Sequence, residues 1–442
     1  MYLFKRFNKM FQNEFQTLLR KQMADSRELS LYILQNILEN KSISSLSDTK
    51  SAEKETAFIR MLTLTALRHL VYIRNILKKL ITKKLSKQNL VAQYALILGA
   101  TELLYMQTPD YAVINSYVNL AKKHTDKYIA GFVNAVLRKI SASKQEFIKE
   151  DSGEFFPHDF RALLKKDYST KTIDSIEKAC LNEPLLDITC TNKDSEQRLK
   201  GQKLPLGTIR LPNNGKISDL PDYEKGLWWV QDFSSALPVK MLQDLSGKEV
   251  LELCAAPGGK TAQLLSAGAK VTCLDISEDR LKTLKENLSR LHLSPVDVLC
   301  RDALDFLKTN QKKYDIILLD APCSATGTIR RHPEIAHLKT IEDVTRQAAL
   351  QSDILALVDN SLAIGGTLLY CTCSLCKNEG EHQIDTFLTN HTNYRTENLN
   401  LLLPEELKQI GTPEGFVRIL PQHLSKFGGA DGFFIAVLKK GL

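Results

Sequence analysis

A glycine turn between an apolar strand and a helix, at residues 250–261, constrains the fold of this chain more than any other feature. It reads Val-Leu-Glu-Leu-Cys-Ala-Ala-Pro-Gly-Gly-Lys-Thr, so the apolar run 250–253 predicts a buried strand and Thr261 resumes a helical pattern. Glycine lets a ligand approach the backbone closely, and the helix that follows presents unpaired N–H groups. We therefore expect a small-molecule site here, bracketed by Glu252 and Lys260.

Such a turn also occurs on the surface of many α/β proteins, and this one lacks the Gly-x-x-x-x-Gly-Lys-Ser/Thr spacing of a phosphate-binding loop. The alternation of strands and helices that follows favours a ligand site. Strands are predicted at 250–253, 270–274, 296–299, 314–319 and 366–370, helices at 261–266, 278–291 and 341–362, and a final antiparallel pair at 417–420 and 432–438. This order predicts a doubly wound, largely parallel α/β sheet of the Rossmann-like class.

Acidic residues follow three successive strands of the predicted sheet. Asp275 comes 23 residues after Glu252 and is placed to accept the ribose hydroxyls of a nucleoside cofactor. Asp302 follows the next strand, where it would receive an adenine amino group, and Asp320 ends the fourth. One strand-end aspartate alone is more often a helix cap. Three of them beside a glycine turn indicate a cofactor site.

Cysteines occupy the loops after the fourth and fifth strands. Asp320 leads into Ala-Pro-Cys-Ser-Ala-Thr-Gly, and residues 371–374 read Cys-Thr-Cys-Ser. Adjacent strands would bring Cys323 and Cys373 to one pocket edge, which favours thiol chemistry on a substrate. Cys254, Cys273 and Cys300 are interpreted as small core residues.

The remaining composition limits the setting and the ligands. Nine cysteines, an odd number, do not suggest a disulfide framework, so we expect a cytoplasmic protein. The cysteines at 371, 373 and 376 have no histidine pair at zinc-finger spacing, and we expect no metal. The longest apolar run, 90–106, is interrupted by Gln93 and Glu102, so no membrane span is expected. We expect a monomer.

The basic charge of the chain is concentrated before the predicted sheet. Residues 1–140 contain 22 Lys and Arg against 10 Asp and Glu, or +12, so the rest carries −4 of the net +8. A basic module beside a near-neutral α/β module suggests that the first docks a polyanion and the second does chemistry, although a lysine-rich helical surface is an equally good reading. Residues such as Lys78, Lys79, Lys83, Lys84 and Lys87 would meet phosphates.

Four segments are expected along the chain. An N-terminal extension, 1–25, precedes an all-α domain, 26–142, with a Ser-rich loop at 41–55 and helices at 27–38, 57–80, 90–106, 111–121 and 128–140. Residues 143–245 form a linker and a small α+β subdomain, and the linker pattern itself covers residues 141–157. The subdomain is predicted to have a helix at 159–180 and strands at 185–191 and 207–211. The sheet domain occupies 246–442.

Two sets of residues resemble known families. The helices around 109–123 and Gly-Phe-Val-Asn-Ala-Val-Leu-Arg at 131–138 resemble the antitermination-factor-type RNA-binding fold of the NusB family. Leu-Cys-Ala-Ala-Pro-Gly-Gly-Lys-Thr at 253–261, Asp-Ala-Pro-Cys-Ser-Ala-Thr-Gly at 320–327 and Thr-Cys-Ser at 372–374 resemble the motifs of the RNA cytosine-5 methyltransferases, the Nop2/Sun family. Glu252 departs from that pattern, in which we would expect aspartate.

The second resemblance implies a cofactor, a substrate and roles for residues. It implies 5-methylcytosine in small-subunit ribosomal RNA as the product, with Cys373 as the nucleophile that adds to cytosine C6. Cys323 would assist release, and Asp320 would hydrogen-bond N3 and the exocyclic amine. S-adenosylmethionine would be the cofactor, held by Cys254, Ala255, Ala256, Pro257, Gly258, Gly259, Lys260, Asp275, Asp302 and Asp320. One of Arg330, Arg331 or Lys260 would stabilise the attacking thiolate.

Three other functions stay open at this point. In a DNA cytosine-5 methyltransferase, which also uses a Pro-Cys motif, Cys323 would be the nucleophile; the Thr-Cys-Ser motif and the basic helical domain argue against it. A non-catalytic RNA-binding or antitermination factor would keep the sheet only as a scaffold. Within the RNA enzymes, transfer RNA is an alternative substrate.

Overall fold

The computed structural model describes residues 25–40, 53–82, 85, 89–191, 193–212 and 215–441. The chain divides into two compact units, the first of residues up to 160 together with 332–338, and the second of 161–331 and 339–442. It therefore passes from one unit to the other three times. The expected extension at 1–25 and the Ser-rich loop at 41–55 lie almost entirely outside the described residues, and the expected boundaries of the four segments stay a prediction.

The first unit is helical and takes one short helix from late in the chain. Its helices are α1 (Ser26–Asn40), α2 (Glu53–Arg68), α3 (Leu70–Leu80), α4 (Leu90–Tyr105), α5 (Asp110–His124), α6 (Lys127–Ala142), α7 (Lys144–Glu150) and α15 (Ile335–Leu338).

Helix α4 is buried over most of its length at the centre of the helical unit. Its one acidic side chain, Glu102, is fully buried and accepts hydrogen bonds from Arg27 Nε at 2.9 Å and from the Tyr117 hydroxyl at 3.1 Å. A buried carboxylate is costly unless it is paired and hydrogen-bonded, so these contacts fix how α4 meets the two neighbouring segments.

Residues 332–338 belong to the helical unit although they follow the fourth sheet strand in sequence. Leu338 is buried in the helical core. A ring nitrogen of His337 lies 2.8 Å from the Leu67 carbonyl oxygen, and burial lowers the pKa of His337 to about 4. The imidazole is therefore neutral near pH 7 and donates to that carbonyl.

The predicted helices of the first 180 residues form, but two of them are divided and one more helix lies in the expected linker. The helix expected at 57–80 is two helices that meet at His69, whose ring stacks on Tyr105 with centroids 3.6 Å apart. The expected linker at 141–157 contains α7. The helix expected at 159–180 is interrupted, because Ser169 caps a new helix by accepting a hydrogen bond from the Thr172 amide.

The second unit carries two sheets with helices around them. Its helices are α8 (His158–Leu164), which straddles the division between the units, α9 (Thr170–Cys180), α10 (Lys193–Leu199), α11 (Phe233–Lys240), α12 (Gly259–Ser266), α13 (Glu278–Arg290), α14 (Ala303–Thr309), α16 (Ile341–Val358) and α17 (Glu381–Asn390). Its strands are β1 (Leu186–Cys190), β2 (Gln202–Lys203), β3 (Ile209–Leu211), β4 (Trp228–Val230), β5 (Glu249–Leu253), β6 (Lys270–Asp275), β7 (Asp297–Cys300), β8 (Tyr314–Asp320), β9 (Leu362–Thr372), β10 (Tyr394–Thr396), β11 (Val417–Ile419) and β12 (Phe433–Lys440).

The large sheet has the order β10-β12-β9-β8-β5-β6-β7, with β11 paired to β12. Strands β5 to β9 pair in parallel, whereas β12 runs antiparallel to β9, β10 and β11. Strand β5 lies between β6 and β8, so the chain winds outward from it in both directions. In such sheets ligands bind beyond the carboxyl ends of the strands where the winding reverses.

The predicted fold class is confirmed. The five parallel strands and the final antiparallel pair, β11 with β12, form as the apolar runs indicate. The short strands β2, β4 and β10 were not predicted. Strand β4 contains two tryptophans and completes the small antiparallel sheet β2-β3-β1-β4, where its residues pair with those of β1.

Glu252 is the buried acid of the central strand β5. Its side chain is 1% exposed, and the Thr261 hydroxyl donates to its Oε2 at 2.6 Å. Burial raises the pKa of Glu252 to about 8, while the Thr261 hydrogen bond and the Lys260 charge oppose that rise. The group is therefore mostly protonated in the folded protein near pH 7.

We expect Glu252→Gln to change how stability depends on pH. Because the folded pKa of about 8 exceeds the ordinary glutamate value of 4.5, the wild-type stability from this group is complete below about pH 4.5 and is lost as the pH rises towards 8. That loss amounts to at most about 1.4 kcal/mol per pH unit. Glutamine carries no titrating proton, so the free energy of unfolding of the wild type relative to the variant should fall between about pH 5 and 8.

Denaturant unfolding at several pH values measures this difference. Glu249→Gln is the matched control: Glu249 lies on the same strand and pairs with Lys312, and that hydrogen bond lowers the pKa of Glu249. It should leave the trend above pH 5 unchanged. A constant difference between wild type and Glu252→Gln across this range would contradict the prediction.

Candidate active site

A cavity of about 460 Å³ opens at the carboxyl ends of β5, β6 and β8. Volumes of this size are typical of pockets that hold small molecules. It combines strand-end acids, three thiols and apolar side chains, and its lining residues are Cys254, Leu274, Asp275, Ile276, Arg280, Arg301, Asp302, Ala303, Asp320, Ala321, Pro322, Cys323, Ala325, Leu350, Ile354 and Cys373.

The turn after β5 reaches this cavity through a strained backbone. Cys254 has φ of +61°, and Gly258, which precedes α12, has φ of +100°. A side chain at Gly258 would be strained there and would place its Cβ 3.0 Å from Leu284 Cγ, so glycine is required. Of the predicted cofactor residues in this turn, Cys254 lines the cavity, and residues 255–260 continue from it into the start of α12.

Cys254 is a neutral thiol in the wall of the cavity. Burial raises the pKa of Cys254 to about 12, and the charges of Asp320 and Asp275 add to that rise. A thiol with this pKa is a poor nucleophile near pH 7. The sequence analysis describes Cys254 both as a small packing residue and as part of the cofactor turn. A buried thiol in the cavity wall is compatible with both descriptions.

The two acids after β6 and β7 line the cavity and also hold backbone. Asp275 is 1% exposed; its Oδ2 accepts from the Ala256 amide at 3.2 Å and its Oδ1 from the Ser277 amide at 3.0 Å. Asp275 therefore ties the glycine turn to the end of β6. Asp302 caps α14, because its Oδ1 accepts from two amides of that helix at 2.8 and 3.2 Å.

Lys260 is committed to Asp320. Its ammonium lies 2.7 Å from Asp320 Oδ2 and 3.3 Å from the Ser235 hydroxyl, in a position only 6% exposed. Burial, the largest single effect, lowers the pKa of Lys260, but the charge of Asp320, its hydrogen bond and the neighbouring Cys371 and Glu252 together outweigh burial, so the net pKa is raised. Glu252 is enclosed in the sheet and Lys260 pairs with Asp320, so neither side chain lines the cavity. The assignment of Lys260 to the cofactor site stays a prediction.

The two predicted thiols are neighbours. Cys323 Sγ and Cys373 Sγ lie 3.4 Å apart, both partly buried at the cavity. The hydrogen bond with Cys373 and burial raise the pKa of Cys323. Cys323 therefore keeps its proton near pH 7, and either sulfur can be the donor in this contact. The loops are joined by backbone as well, since the Gly327 amide donates to the Cys373 carbonyl at 2.9 Å.

The arginines expected to stabilise a thiolate have other partners. Arg331 forms ion pairs with Asp232 at 2.7 Å and Asp431 at 2.8 Å. Arg330 is buried and donates to the Gly428 carbonyl at 2.6 Å. These pairs tie the loop after β8 to the segments before α11 and β12.

Sequence reasoning missed two features of the site. Ile276, directly after Asp275, is 67% exposed and presents an apolar side chain to the cavity. Glu379 is fully buried and accepts hydrogen bonds from Ser324 and Ser374, the residues that follow the two thiols. The serine that follows each of the two cysteines was the available sequence signal for a shared partner. That partner, Glu379, is distant from Ser324 in sequence, so the pattern did not identify it.

Two kinds of site are absent from the part of the chain that the structure describes. No group of three or more histidine, cysteine, aspartate or glutamate side chains in it is arranged to hold a metal ion. Within the same residues, no helix combines the length and the apolar character needed to cross a bilayer.

Comparisons with known proteins match both parts of the chain. Residues 239–439 match the model of the 16S rRNA methyltransferase RsmB/F family, and residues 14–142 match that of the NusB family. The chain is 32% identical to ribosomal RNA small subunit methyltransferase B of Yersinia enterocolitica over 88% of this chain and 91% of that protein.

Solved structures share the fold. The crystal structure of PH0851 has a TM-score of 0.73 at 22% identity, covering 94% of this chain and 99% of that one. NSun6 from Pyrococcus horikoshii, solved with SFG, has a TM-score of 0.52 at 22% identity, covering 64% of this chain and 98% of that one. The two structures show the fold alone. The family models and the Yersinia enterocolitica relative confirm the predicted resemblance, and by them the chain belongs to the ribosomal RNA small subunit methyltransferase B family.

Proposed function

We propose that this protein transfers a methyl group from S-adenosylmethionine to C5 of a cytosine in small-subunit ribosomal RNA, through a covalent bond between Cys373 and cytosine C6. The observation that carries this proposal is the pair of thiols, 3.4 Å apart, beside Asp320 at the edge of one cavity. The substrate named for the Yersinia enterocolitica relative supports ribosomal RNA over transfer RNA.

The cavity residues fit S-adenosylmethionine. Asp275 and Asp302 supply carboxylates at neighbouring strand ends, suited to ribose hydroxyls and to the adenine amino group. The exposed Ile276 between them offers an apolar face for a planar ring. Bound there, S-adenosylmethionine supplies an electrophilic methyl group.

Cytosine C5 is a poor nucleophile, so the protein has to activate the ring first. The Cys373 sulfur bonds to C6, so the C5–C6 double bond becomes a single bond and its electron pair forms a C4–C5 double bond. The C4–N3 pair moves to N3, which takes up the proton that the Cys373 thiol has lost. C5 is then the nucleophilic carbon of an enamine. Asp320 accepts hydrogen bonds from the exocyclic amine and from N3–H, which stabilises the adduct as it forms. Lys260 fixes the Asp320 carboxylate in place for this role through its contact with Oδ2. The base has to be presented unpaired, because its ring is attacked from one face.

Release of the product breaks the bond between Cys373 Sγ and cytosine C6. After methyl transfer a base removes the C5 proton, the C5–C6 double bond forms again, and the Cys373 thiolate leaves. Cys323, whose pKa is raised by its hydrogen bond to Cys373 and by burial, keeps its proton and donates to the departing sulfur. The same protonation makes Cys323 a weak nucleophile, which favours Cys373 over the assignment of a DNA-type enzyme.

The helical unit supports an RNA substrate. It matches the NusB family, and Lys78 and Lys79 are exposed in the last turn of α3. Contacts between such side chains and phosphates weaken steeply with salt. The other lysines expected to meet phosphates, Lys83, Lys84 and Lys87, lie outside the described residues. We propose that the enzyme acts in the cytoplasm, as a monomer and without a metal ion.

Covalent trapping distinguishes the roles of the two thiols. Small-subunit ribosomal RNA containing 5-fluorocytosine retains fluorine at C5, so the adduct cannot be resolved and accumulates. We expect wild-type protein with S-adenosylmethionine to form a denaturation-resistant complex on a gel. Cys373→Ala should abolish the complex and Cys323→Ala should retain it, because only Cys373 bonds to C6.

Two controls define the alternatives. Cys300, which the sequence places in the core, is exposed and does not line the cavity, so Cys300→Ala should trap like the wild type. Loss of the complex in Cys323→Ala alone would assign the nucleophile to Cys323, as in a DNA-type enzyme. Absence of a complex with every variant, while the same RNA is bound, would favour a non-catalytic RNA-binding factor; trapping only on transfer RNA would change the substrate.

Cofactor binding tests the strand-end acids. We expect Asp275→Ala to weaken S-adenosylmethionine binding by about 10- to 100-fold, since a hydrogen bond to a charged group contributes about 1.5–3 kcal/mol. Titration calorimetry measures the affinity. Asp297→Ala, an exposed residue at the opposite end of β7, is the control and should bind as the wild type does. Equal affinities for all three proteins would remove Asp275 from the cofactor site.

A further inference from the structure

Glu379 occupies an unusual position for an acidic residue. It ends the short turn Lys377–Glu379 that follows β9, and its side chain is fully buried in the second unit. Burial raises the pKa of Glu379, while hydrogen bonds from Ser324, Ser374 and Gln351 oppose that rise. Such a group is tolerated in an interior only when its oxygens are satisfied.

Both carboxyl oxygens of Glu379 bind residues adjacent to the thiols. Oε1 accepts from the Ser324 amide at 2.7 Å and from Gln351 Nε2 at 3.3 Å. Oε2 accepts from the Ser324 hydroxyl at 2.5 Å and from the Ser374 hydroxyl. Ser324 follows Cys323 and Ser374 follows Cys373, so one carboxyl group bridges the two thiol loops.

The bridge is itself held by strand β9. The Glu379 carbonyl accepts hydrogen bonds from the Tyr370 hydroxyl at 2.9 Å and from the Thr372 hydroxyl at 3.1 Å. Gln351 of α16 also donates to the Pro322 carbonyl at 2.8 Å, next to Cys323. Glu379 is thus fixed directly to β9, which carries Cys373, and through Gln351 to the start of the loop that carries Cys323.

We propose that Glu379 is a positioning residue that sets the distance and orientation between Cys323 Sγ and Cys373 Sγ. This inference deepens the proposed function and rests on it for its kinetic consequence. Glu379 touches neither the base nor the cofactor; it acts through Ser324 and Ser374. Without Glu379 the loops stay joined by the Gly327 amide and by the Thr326 hydroxyl, which lies 3.2 Å from Ser374 Oγ and accepts from the Leu375 amide at 2.9 Å. Ser324, the neighbour of Cys323, then loses the hydrogen bonds of its amide and hydroxyl to Glu379 and keeps only hydroxyl contacts of 3.3 Å to Thr326 and 3.4 Å to Ser374.

The kinetic consequence is a loss of rate without a loss of cofactor affinity. Misplacing a reacting group by about 1 Å can lower a rate about 100-fold. Glu379→Ala should therefore lower kcat for RNA methylation by about 100-fold, while the KM for S-adenosylmethionine stays near the wild-type value. Glu379→Gln keeps the shape and, with the serine hydroxyls turned to donate or accept as needed, most of the hydrogen bonds, so it should restore much of the rate.

A second readout measures the spacing of the sulfurs without any turnover. Diamide, a two-electron oxidant, converts two nearby thiols to a disulfide and takes up their two hydrogen atoms. We expect the peptide linked through Cys323 and Cys373 to form about 10-fold more slowly in Glu379→Ala than in wild type, because the effective concentration of one thiol at the other falls. Mass spectrometry of the digested protein quantifies that peptide specifically among the nine cysteines.

Glu177→Ala is the matched control. Glu177 is another buried carboxylate of the second unit, but it pairs with Arg161. It should change neither the disulfide rate nor kcat, even if it lowers thermal stability as Glu379→Ala does. If Glu379→Ala does not fold, Ser374→Ala keeps the carboxyl group and its bonds to Ser324, and removes the tether on the Cys373 side together with the Ser374 hydroxyl contacts to Thr326 and the Cys376 amide. It should show the same two effects, more weakly.

The outcomes separate this inference from the proposed function. A folded Glu379→Ala protein with wild-type disulfide rate and kcat overturns the positioning role. A slower disulfide rate in a protein whose wild type neither methylates nor traps cytosine RNA keeps the positioning role and removes the proposed reaction. Equal loss in Glu177→Ala would show that any buried carboxylate of the unit has this effect, and would also overturn the inference.

Discussion

The parallel pairing of β8 with β9 is the constraint on which the site depends. It sets Asp320 opposite Cys371, so the strands end at the same level and their loops must share one space. Every contact between the thiol loops follows from that register. A shift of one residue would turn each side chain to the other face of the sheet and would separate the two sulfur atoms.

The site uses buried charges in two different ways. Asp320 and Lys260 neutralise each other at the cavity edge, where an ion pair keeps both side chains oriented. Glu379 has no cationic partner among its hydrogen-bonding contacts and is satisfied by hydroxyl, amide and backbone donors. The first arrangement holds an oriented ion pair beside the cavity. The second connects two loops in a place from which water is excluded.

The sequence predicted those features of the fold and the site that depend on a single strand or a single turn. Apolar runs predicted the parallel strands, and the strand-end rule predicted that Asp275, Asp302, Asp320, Cys323 and Cys373 would meet at one cavity. Side-chain partners over long separations could not be predicted in this way. The sequence did not indicate that Lys260 pairs with Asp320. It did not single out Glu379 either, because the partners of Glu379 lie on two loops that only the folded sheet brings together. The break at 165–169 was missed because the helical pattern resumes on both sides of it.

The short segment 332–338 has a consequence for how this protein can be divided. Because Leu338 completes the core of the helical unit, a single cut near residue 160 does not yield a complete helical module. Seven residues of its packing would remain on the other fragment. A gene fusion or a truncation that treats the two units as separable segments of sequence would therefore transfer an incomplete helical unit. The two units have to be expressed and engineered as one chain.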